Sequence, residues 1–340
     1  MSAYFGLDLG ASSIKVCKAT PMGKQYLLEA VGIAQNSVGS IDLSEKSNAQ
    51  KLSDTVKGLL KEVDVKDRRV VVSVPESQVF SRVVEMPVMS DAELSSAIQW
   101  EAEQFVPIPI EEVEMDFSVV RRPIKGSTDE KMLVYLVASR KKYLQEYVDF
   151  LVALGLEPIA IESETASTAR SLLPMVQEGV SLILHIGAMS SSITILTGGA
   201  VSFSYSMPTG GVALSRALAQ SLSLSLPQAE QYKRTYGLDS KQLEGKVRAA
   251  LLVVFSSIVS ETRKATQNYI ASGGSPLNRI ILSGGGAYLP DLSMYMSGEF
   301  PGVEAVIADP FLTAKAKKEV VIPEERAVYS VVVGLALRSF

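Results

Sequence analysis

Cysteine and histidine are almost absent from this chain, with Cys17 and His185 the lone examples in 340 residues. A single cysteine has no partner for an intrachain disulfide, and one histidine with one cysteine supplies neither a zinc ligand set, a Cys–His dyad nor a haem pair. Any metal is therefore expected to be a hard cation held by oxygen. An excess of positive charge is missing too: 33 Lys and Arg stand against 37 Asp and Glu, spread without long runs, for a net charge of −4. That balance offers no electrostatic footprint to a nucleic-acid backbone. The opening MSAYFGLDLG has no basic region ahead of an apolar core, and no stretch reaches the roughly 18 uninterrupted apolar residues that a membrane span requires. A cytoplasmic protein is expected, reaching a membrane only through a partner. What is present is a chain 47% apolar and 21% charged, which argues against disorder, and at about 150 residues per domain its length predicts two units.

The first forty residues read as a meander. Tyr4–Leu9 and Ile14–Lys18 are strand-like runs around the tight Gly10-Ala11-Ser12-Ser13, and Leu27–Ile33 is a third. Leu52, Val56, Leu59 and Leu60 have helical spacing within Gln50–Val63, and Val70–Val74 reads as a buried strand. A different segment follows. Val79–Glu85 alternates, Ser90 with Glu93 forms a capping box for a helix over Asp91–Phe105, and Val113–Arg121 and Met132–Ser139 read as strands around a loop at 123–130. Lys142–Leu154 is an amphipathic helix ended by Gly155. A small inserted α+β subdomain is expected at 79–139.

The second half restarts with the same grammar. Aligning FGLDLGASSIKV with LILHIGAMSSSITI places Asp8 over His185, Gly10 over Gly187 and Ala11 over Ala188, an offset of 177 residues (185 − 8). Duplication accounts for a shared hairpin at the head of each half. Helices are predicted over Gly211–Leu222, Pro227–Tyr236, Lys246–Ala271 and about Pro290–Phe300. A strand at Arg279–Leu282 opens into Ser283-Gly284-Gly285-Gly286, and Gly334 interrupts the closing apolar run Val328–Leu337.

Three glycine-bearing turns thus follow strands. Glycine lets backbone amides approach an anion without a Cβ in the way, and the serines and Lys15 add donors. None matches GxxxxGK[ST], and the first two join strand to strand, which sets aside a Walker loop and a Rossmann dehydrogenase. Each turn alone is explained by ordinary turn chemistry; together they look like jaws around one polyphosphate. Asp8, just before the first turn, is a candidate to hold a hydrated Mg²⁺.

DLGASSIK, HIGAMSSS, LSGGGAYLPDL and VVGLALRSF resemble, in order, phosphate loop 1, phosphate loop 2, the adenosine loop and the second connecting helix of the actin-like ATPases. VSVPESQVFSRVVEMP, QWEAEQFVPIPIEEVEMDF and GGVALSRALAQSLSLSLPQAEQYKRTYG are similar to the type IV pilus assembly PilM family within that superfamily. The resemblance spans nearly the whole chain, and EAEQFVP…EEVEMDF is its most specific part. It implies an α/β, actin-like (ribonuclease H-like) duplicated fold with the inserted subdomain on the first half. The first core would be 1–78 completed by 140–178 and 322–340, and the second 179–321 with a helical subdomain at about 225–277. ATP with Mg²⁺ would sit between the halves. Gly10, Ala11, Ser12, Ser13 and Lys15 would meet phosphate, as would Gly187, Ala188 and Ser190, with Gly210 and Gly211 beside them. Gly284, Gly285 and Gly286 would face the nucleoside. Glu230 and Lys233 would flank the base, unless they are merely a surface i, i+3 pair. The partner would be the short cytoplasmic N-terminal tail of PilN, docking the protein on the inner membrane's cytoplasmic face, with links to pilus motor ATPases and possible assembly into homo-oligomers. Its groove would lie between the insertion and the first core, near Val79–Val84, Trp100 and Phe105, although Trp100 fits a core position equally.

His185 departs from the family, which carries Asp at that point. A neutral imidazole offers no comparable charge to Mg²⁺, so slow or absent hydrolysis is expected whether His185 acts in catalysis or simply satisfies a strand end. Glu162 and Glu164 are the remaining carboxylates that would assist chemistry, or serve as helix-start charges. Two competing readings are a small-molecule kinase and an FtsA- or GspL-like scaffold of division or type II secretion. The first calls for a catalytic Asp and a polar pocket. The second calls for a lipid-binding amphipathic helix after the core, where this chain stops at Phe340, or for a membrane span.

Overall fold

The computed structural model describes residues 4–339 except 42, 44, 124–130 and 177–178, so most of the expected loop at 123–130 lies outside the described residues. The chain begins with β1 (Phe5–Leu9), β2 (Ser13–Met22), β3 (Gln25–Gln35), α1 (Lys46–Glu62) and β4 (Arg69–Val74). All five residues of β1 are buried because it runs between β2 and β4 with both faces covered, which is why it is an apolar run broken only by Asp8. Leu52, Val56 and Leu59 form the buried stripe of α1.

The insertion comprises β5 (Val79–Pro87), α2 (Asp91–Glu103), β6 (Val113–Arg121) and β7 (Lys131–Arg140). Its three strands form a separate antiparallel sheet, β5-β7-β6, with its own apolar cluster around Leu94, Ile98, Met132 and Leu136. The Ser90 hydroxyl accepts from the Glu93 amide while the Glu93 carboxylate accepts from the Ser90 amide, closing the capping box that starts α2. Trp100, on the opposite face of that helix, is 73% exposed and is not a core residue.

The chain returns through α3 (Lys141–Ala153), β8 (Glu157–Ser163) and α4 (Glu164–Leu172), and then enters the second half. That half contains β9 (Val180–Ile186), β10 (Ser191–Thr197), β11 (Ala200–Met207), α5 (Gly211–Leu222), α6 (Leu226–Tyr236), α7 (Lys246–Ala271), β12 (Arg279–Ser283), α8 (Leu292–Glu299) and β13 (Glu304–Ile307). A short β14 (Ala314–Ala316) and α9 (Ser330–Ala336) close it.

The two large sheets have one topology. The first runs β14-β3-β2-β1-β4-β8 and the second β11-β10-β9-β12-β13. In each, three antiparallel meander strands are followed by two parallel ones. Register repeats with topology: Asp8 lies opposite Lys15 and His185 opposite Ser192, both pairs displaced by 177 residues (185 − 8 and 192 − 15). The duplication inferred from two short motifs thus extends through whole sheets.

Two boundaries differ from those expected. Ala314–Ala316 pairs with β3 and belongs to the first sheet, so the chain has already crossed back before 322. A three-residue Ala-Lys-Ala edge strand has no apolar alternation by which to announce itself. The helices at 225–277 do not own a separate core either. Ala229, Val247, Leu251 and Phe255 pack in the same cluster as Leu182 and Ile281 of the second sheet.

Candidate functional site

Between the halves lies a cleft of about 1200 Å³, lined by all three glycine-bearing turns. The two hairpins are closed alike. The Gly10 amide donates to the Ser13 carbonyl at 3.1 Å and the Gly187 amide to the Ser190 carbonyl at 2.9 Å, leaving residues 11–12 and 188–189 as tips at the cleft wall. Gly210 is needed where it stands because a Cβ there would meet the Gly187 and Ala188 carbonyl oxygens at 2.7 Å. It therefore packs behind the second tip and does not itself line the cleft, whereas Gly211 does. The amides of Gly211 and Val212, at the start of α5, donate to those same two carbonyls at 2.9 Å, so the helix start braces the hairpin. On the third turn Gly284 has φ +78°, and a Cβ would fall 2.5 Å from the Ile186 carbonyl oxygen. Gly285 next to it faces open space.

Each hairpin presents one functional side chain at its strand end, steadied by a serine from the neighbouring parallel strand. Asp8 accepts from Ser73 Oγ at 3.3 Å, and His185 Nδ1 meets Ser283 Oγ at 3.1 Å. There the likeness stops. Asp8 also accepts a 2.9 Å ion pair from Lys15 Nζ, with both side chains buried. Lys15 therefore carries Asp8 as a counter-ion at the first hairpin, a partner that the expected phosphate role did not include. Both Asp8 oxygens already accept bonds from within the chain, which weakens the case for Asp8 as the holder of a hydrated Mg²⁺, and among the described residues no group of three or more His, Cys, Asp or Glu could hold a metal.

Burial in the cleft floor lowers the His185 imidazole to about 4, with Asp8 opposing the shift and Lys15 adding to it. The ring is neutral at pH 7. Its folded value lies below the ordinary one, so the stability it confers is complete above about pH 6.5 and is lost as pH falls towards 4. Urea unfolding is expected to show a loss of up to roughly 3 kcal/mol across that window from this group. His185→Gln should flatten the window, and an unchanged profile in that variant would rule out His185 as its origin.

The carboxylate at the cleft is not Glu162. Glu162 lies outside the lining and is held on both oxygens by Arg170, at 2.7 and 2.8 Å, with further bonds from Ser167 and Arg338. Its role is structural, which corrects the catalytic assignment. Glu164, first residue of α4, lines the cleft, and burial together with the nearby charges of Asp8 and Glu76 raises its carboxyl well above the ordinary range. The sequence placed these two glutamates side by side, and only the turn from strand to helix between them decides which one faces the cleft.

On the far wall Lys233 Nζ donates to Glu230 at 2.6 Å, to Ser215 Oγ at 2.9 Å and to the Gly211 carbonyl at 3.0 Å. This is no bare surface pair, since it ties α6 to the start of α5. Burial would raise the Glu230 carboxyl, but bonds from Lys233, Ser215 and Arg234 outweigh it and bring it to about 2. Sequence reasoning missed Tyr143, Glu146 and Gln78 on the first-half wall. Tyr143 and Tyr147 stack with centroids 5.9 Å apart on one face of α3, and that i, i+4 aromatic pair was the available signal. Among the described residues, the Tyr143 hydroxyl is buried without a hydrogen-bond partner.

Compared with known proteins, residues 6–340 match the family model described as type IV pilus assembly protein PilM. Among solved structures, the "PilM-PilN type IV pilus biogenesis complex" matches with a TM-score of 0.85 and 25% identity, covering 99% of this chain and 98% of that one. The ethanolamine utilization protein EutJ from Carboxydothermus hydrogenoformans follows at TM-score 0.58 and 16% identity, covering 99% and 90%. MreB 5 of Spiroplasma citri bound to AMPPNP gives 0.54 and 14%, covering 98% and 95%. The fold is that of the actin-like ATPases. Among the described residues no helix is long and apolar enough to cross a membrane.

Proposed function

The chain belongs to the type IV pilus assembly protein PilM family, and on that premise we propose that it is an actin-like, nucleotide-binding scaffold of the pilus assembly platform. It grips the cytoplasmic N-terminal tail of PilN and is held through it at the inner face of the membrane. The likeness to a PilM–PilN complex over almost the full length of both chains supports the partner. The single observation that carries the nucleotide is the pair of hairpins, repeated at one register and facing each other across one cleft with Gly284–Gly286 between.

In that reading the hairpin tips, with Ser12, Ser13 and Ser190, bind phosphate through backbone amides and hydroxyls. The Cβ-free Gly285 lets a nucleoside lie against the third turn, and Glu230 with Lys233 borders it. The protein would be a clamp with slow or absent turnover, because His185 is a neutral group and burial disfavours the ionised form of Glu164 where hydrolysis needs a charged carboxylate. A route from cleft to insertion exists in the fold. Buried Glu76, just ahead of the insertion, accepts from Thr165 at the start of α4 and from Ser206 of β11 at 2.9 Å, and β11 packs along β5 of the insertion. Drawing the halves together on a nucleotide therefore shifts the inserted sheet, and with it any tail it holds.

Gly285→Asp tests the site directly. A Cβ there meets nothing within 4 Å, so the melting temperature should hold while the added carboxylate weakens ATP binding at least about tenfold. Unchanged ATP affinity would remove the nucleotide from this turn. A PilN tail peptide is expected to bind ATP-loaded and nucleotide-free protein with different affinity, and equal affinities with ATP binding verified would end the switching role.

A further inference from the structure

We propose that the cleft takes its nucleotide as the metal-free polyphosphate, with the Lys15 ammonium standing where a divalent cation would otherwise sit. The inference rests on the nucleotide reading above and concerns what neutralises the phosphates. In the first half the carboxylate at the end of β1 carries its own cation: Lys15 Nζ is 2.9 Å from Asp8 Oδ2, with both side chains buried. A Cβ built on Gly10 would lie 3.5 Å from that nitrogen, which places the ammonium at the mouth of the first hairpin, beside the anion site.

In the second half acid and cation are replaced together. The positions of Asp8 and Lys15 are taken by His185 and Ser192, and the serine steadying the strand end is retained, as Ser73 in one half and Ser283 in the other. Each hairpin is thus balanced within itself. Of the other carboxylates lining the cleft, Glu230 is paired with Lys233 and Arg234. Glu164 sits among like charges where burial disfavours ionisation. Glu146 and Glu325 are exposed. Mg²⁺ dehydrates reluctantly and is usually held by one or two carboxylates besides phosphate, and no unpaired one is offered at the hairpins. Releasing Asp8 would mean breaking a buried ion pair and leaving a charge uncompensated. The arrangement favours a resident ammonium over a recruited metal.

Calorimetric titration of the full chain with ATP, once in EDTA and once in millimolar Mg²⁺, reads this out without turnover. The expected dissociation constants agree within about threefold. A loss of about tenfold or more in EDTA overturns the proposal while leaving nucleotide binding intact. Absence of binding in both buffers overturns the nucleotide reading and this inference with it. His185→Asp supplies the converse: an unpaired carboxylate across from Asp8 should make ATP binding at least about tenfold tighter with Mg²⁺ than in EDTA. If that variant stays indifferent to Mg²⁺, the imidazole is not what excludes the metal, and the charge-balance argument fails.

Discussion

Glu162→Ala is expected to lower the unfolding free energy by about 3 kcal/mol or more, because it removes the shared anion from two arginines and a serine at once. Glu162 is buried at the end of β8 and joins Arg170 of α4 to Arg338 beyond α9. Arg170 also donates to the Gly334 carbonyl at 2.7 Å, so the same cluster stitches the two connecting helices to the first sheet. Cutting it takes the Glu162 counter-charge away from two half-buried guanidinium groups. Urea denaturation monitored by circular dichroism measures the loss, and a change below about 1 kcal/mol would show the pair to be solvent-screened and nearly inert. Glu164→Gln makes the sharpest contrast, although the residue is only two positions away. The Glu164 carboxyl is raised in the folded state, first by burial and then by Asp8 and Glu76, so folded protein loses stability as pH climbs above the ordinary glutamate value. Removing that titration should leave neutral-pH stability equal or higher.

Gly334→Ala should be as damaging as any single methyl group in the chain. The Cβ would lie 1.8 Å from the Ser167 carbonyl oxygen, and that neighbour is backbone. α9 and α4 touch at this glycine, one helix resting on the first sheet and the other reaching from β8 towards β10. No rotamer change relieves a clash with a main-chain atom, so one helix must translate and break the packing of Val331 and Leu335 against Val71. Overpacking of well-filled sites costs about 1–3 kcal/mol and sometimes more, and a backbone collision belongs at or beyond the upper end. A melting temperature within about 2 °C of the parent would show that the helices separate at little cost. If the variant does not accumulate in folded form, Gly334→Ser in a thermal-shift assay provides a second reading, since it brings the same Cβ. Because the contact joins the connecting helices, a folded variant should also show weaker coupling between nucleotide and tail binding.

Much of the architecture was legible because it is written in local periodicities. The capping box at Ser90 and Glu93, the 3.6-residue stripe over Lys246–Ala271 and the buried run Arg69–Val74 were all visible as patterns. Three strands were not. Ala200–Met207 was passed over although its polar–apolar alternation is itself a strand's period, while Glu304–Ile307 and Ala314–Ala316 are short edges. A strand of three or four residues carries too few side chains for a period to show.

The site divides along a similar line. Glycines were readable because the backbone itself requires them, as at Gly210 and Gly284, where a Cβ meets main-chain oxygen. Charged groups were not, since their roles depend on which opposite charge the fold brings alongside. Glu162 is held by Arg170, eight residues on, together with Arg338, which lies 176 residues away.

The sequence alone determined the duplication, the inserted subdomain and the family, because these rest on motifs and periods that neighbouring residues enforce on one another. It also determined that His185 stands where its repeat carries Asp8. Only the tertiary structure decided that Asp8 is closed by Lys15, that Glu164 and not Glu162 reaches the cleft, and that β14 returns to the first sheet. The Glu162 and β14 outcomes are set by contacts between residues far apart in the chain, whereas Lys15 meets Asp8 across one hairpin, and in each case the partner, unlike a helix's period, is chosen by the fold.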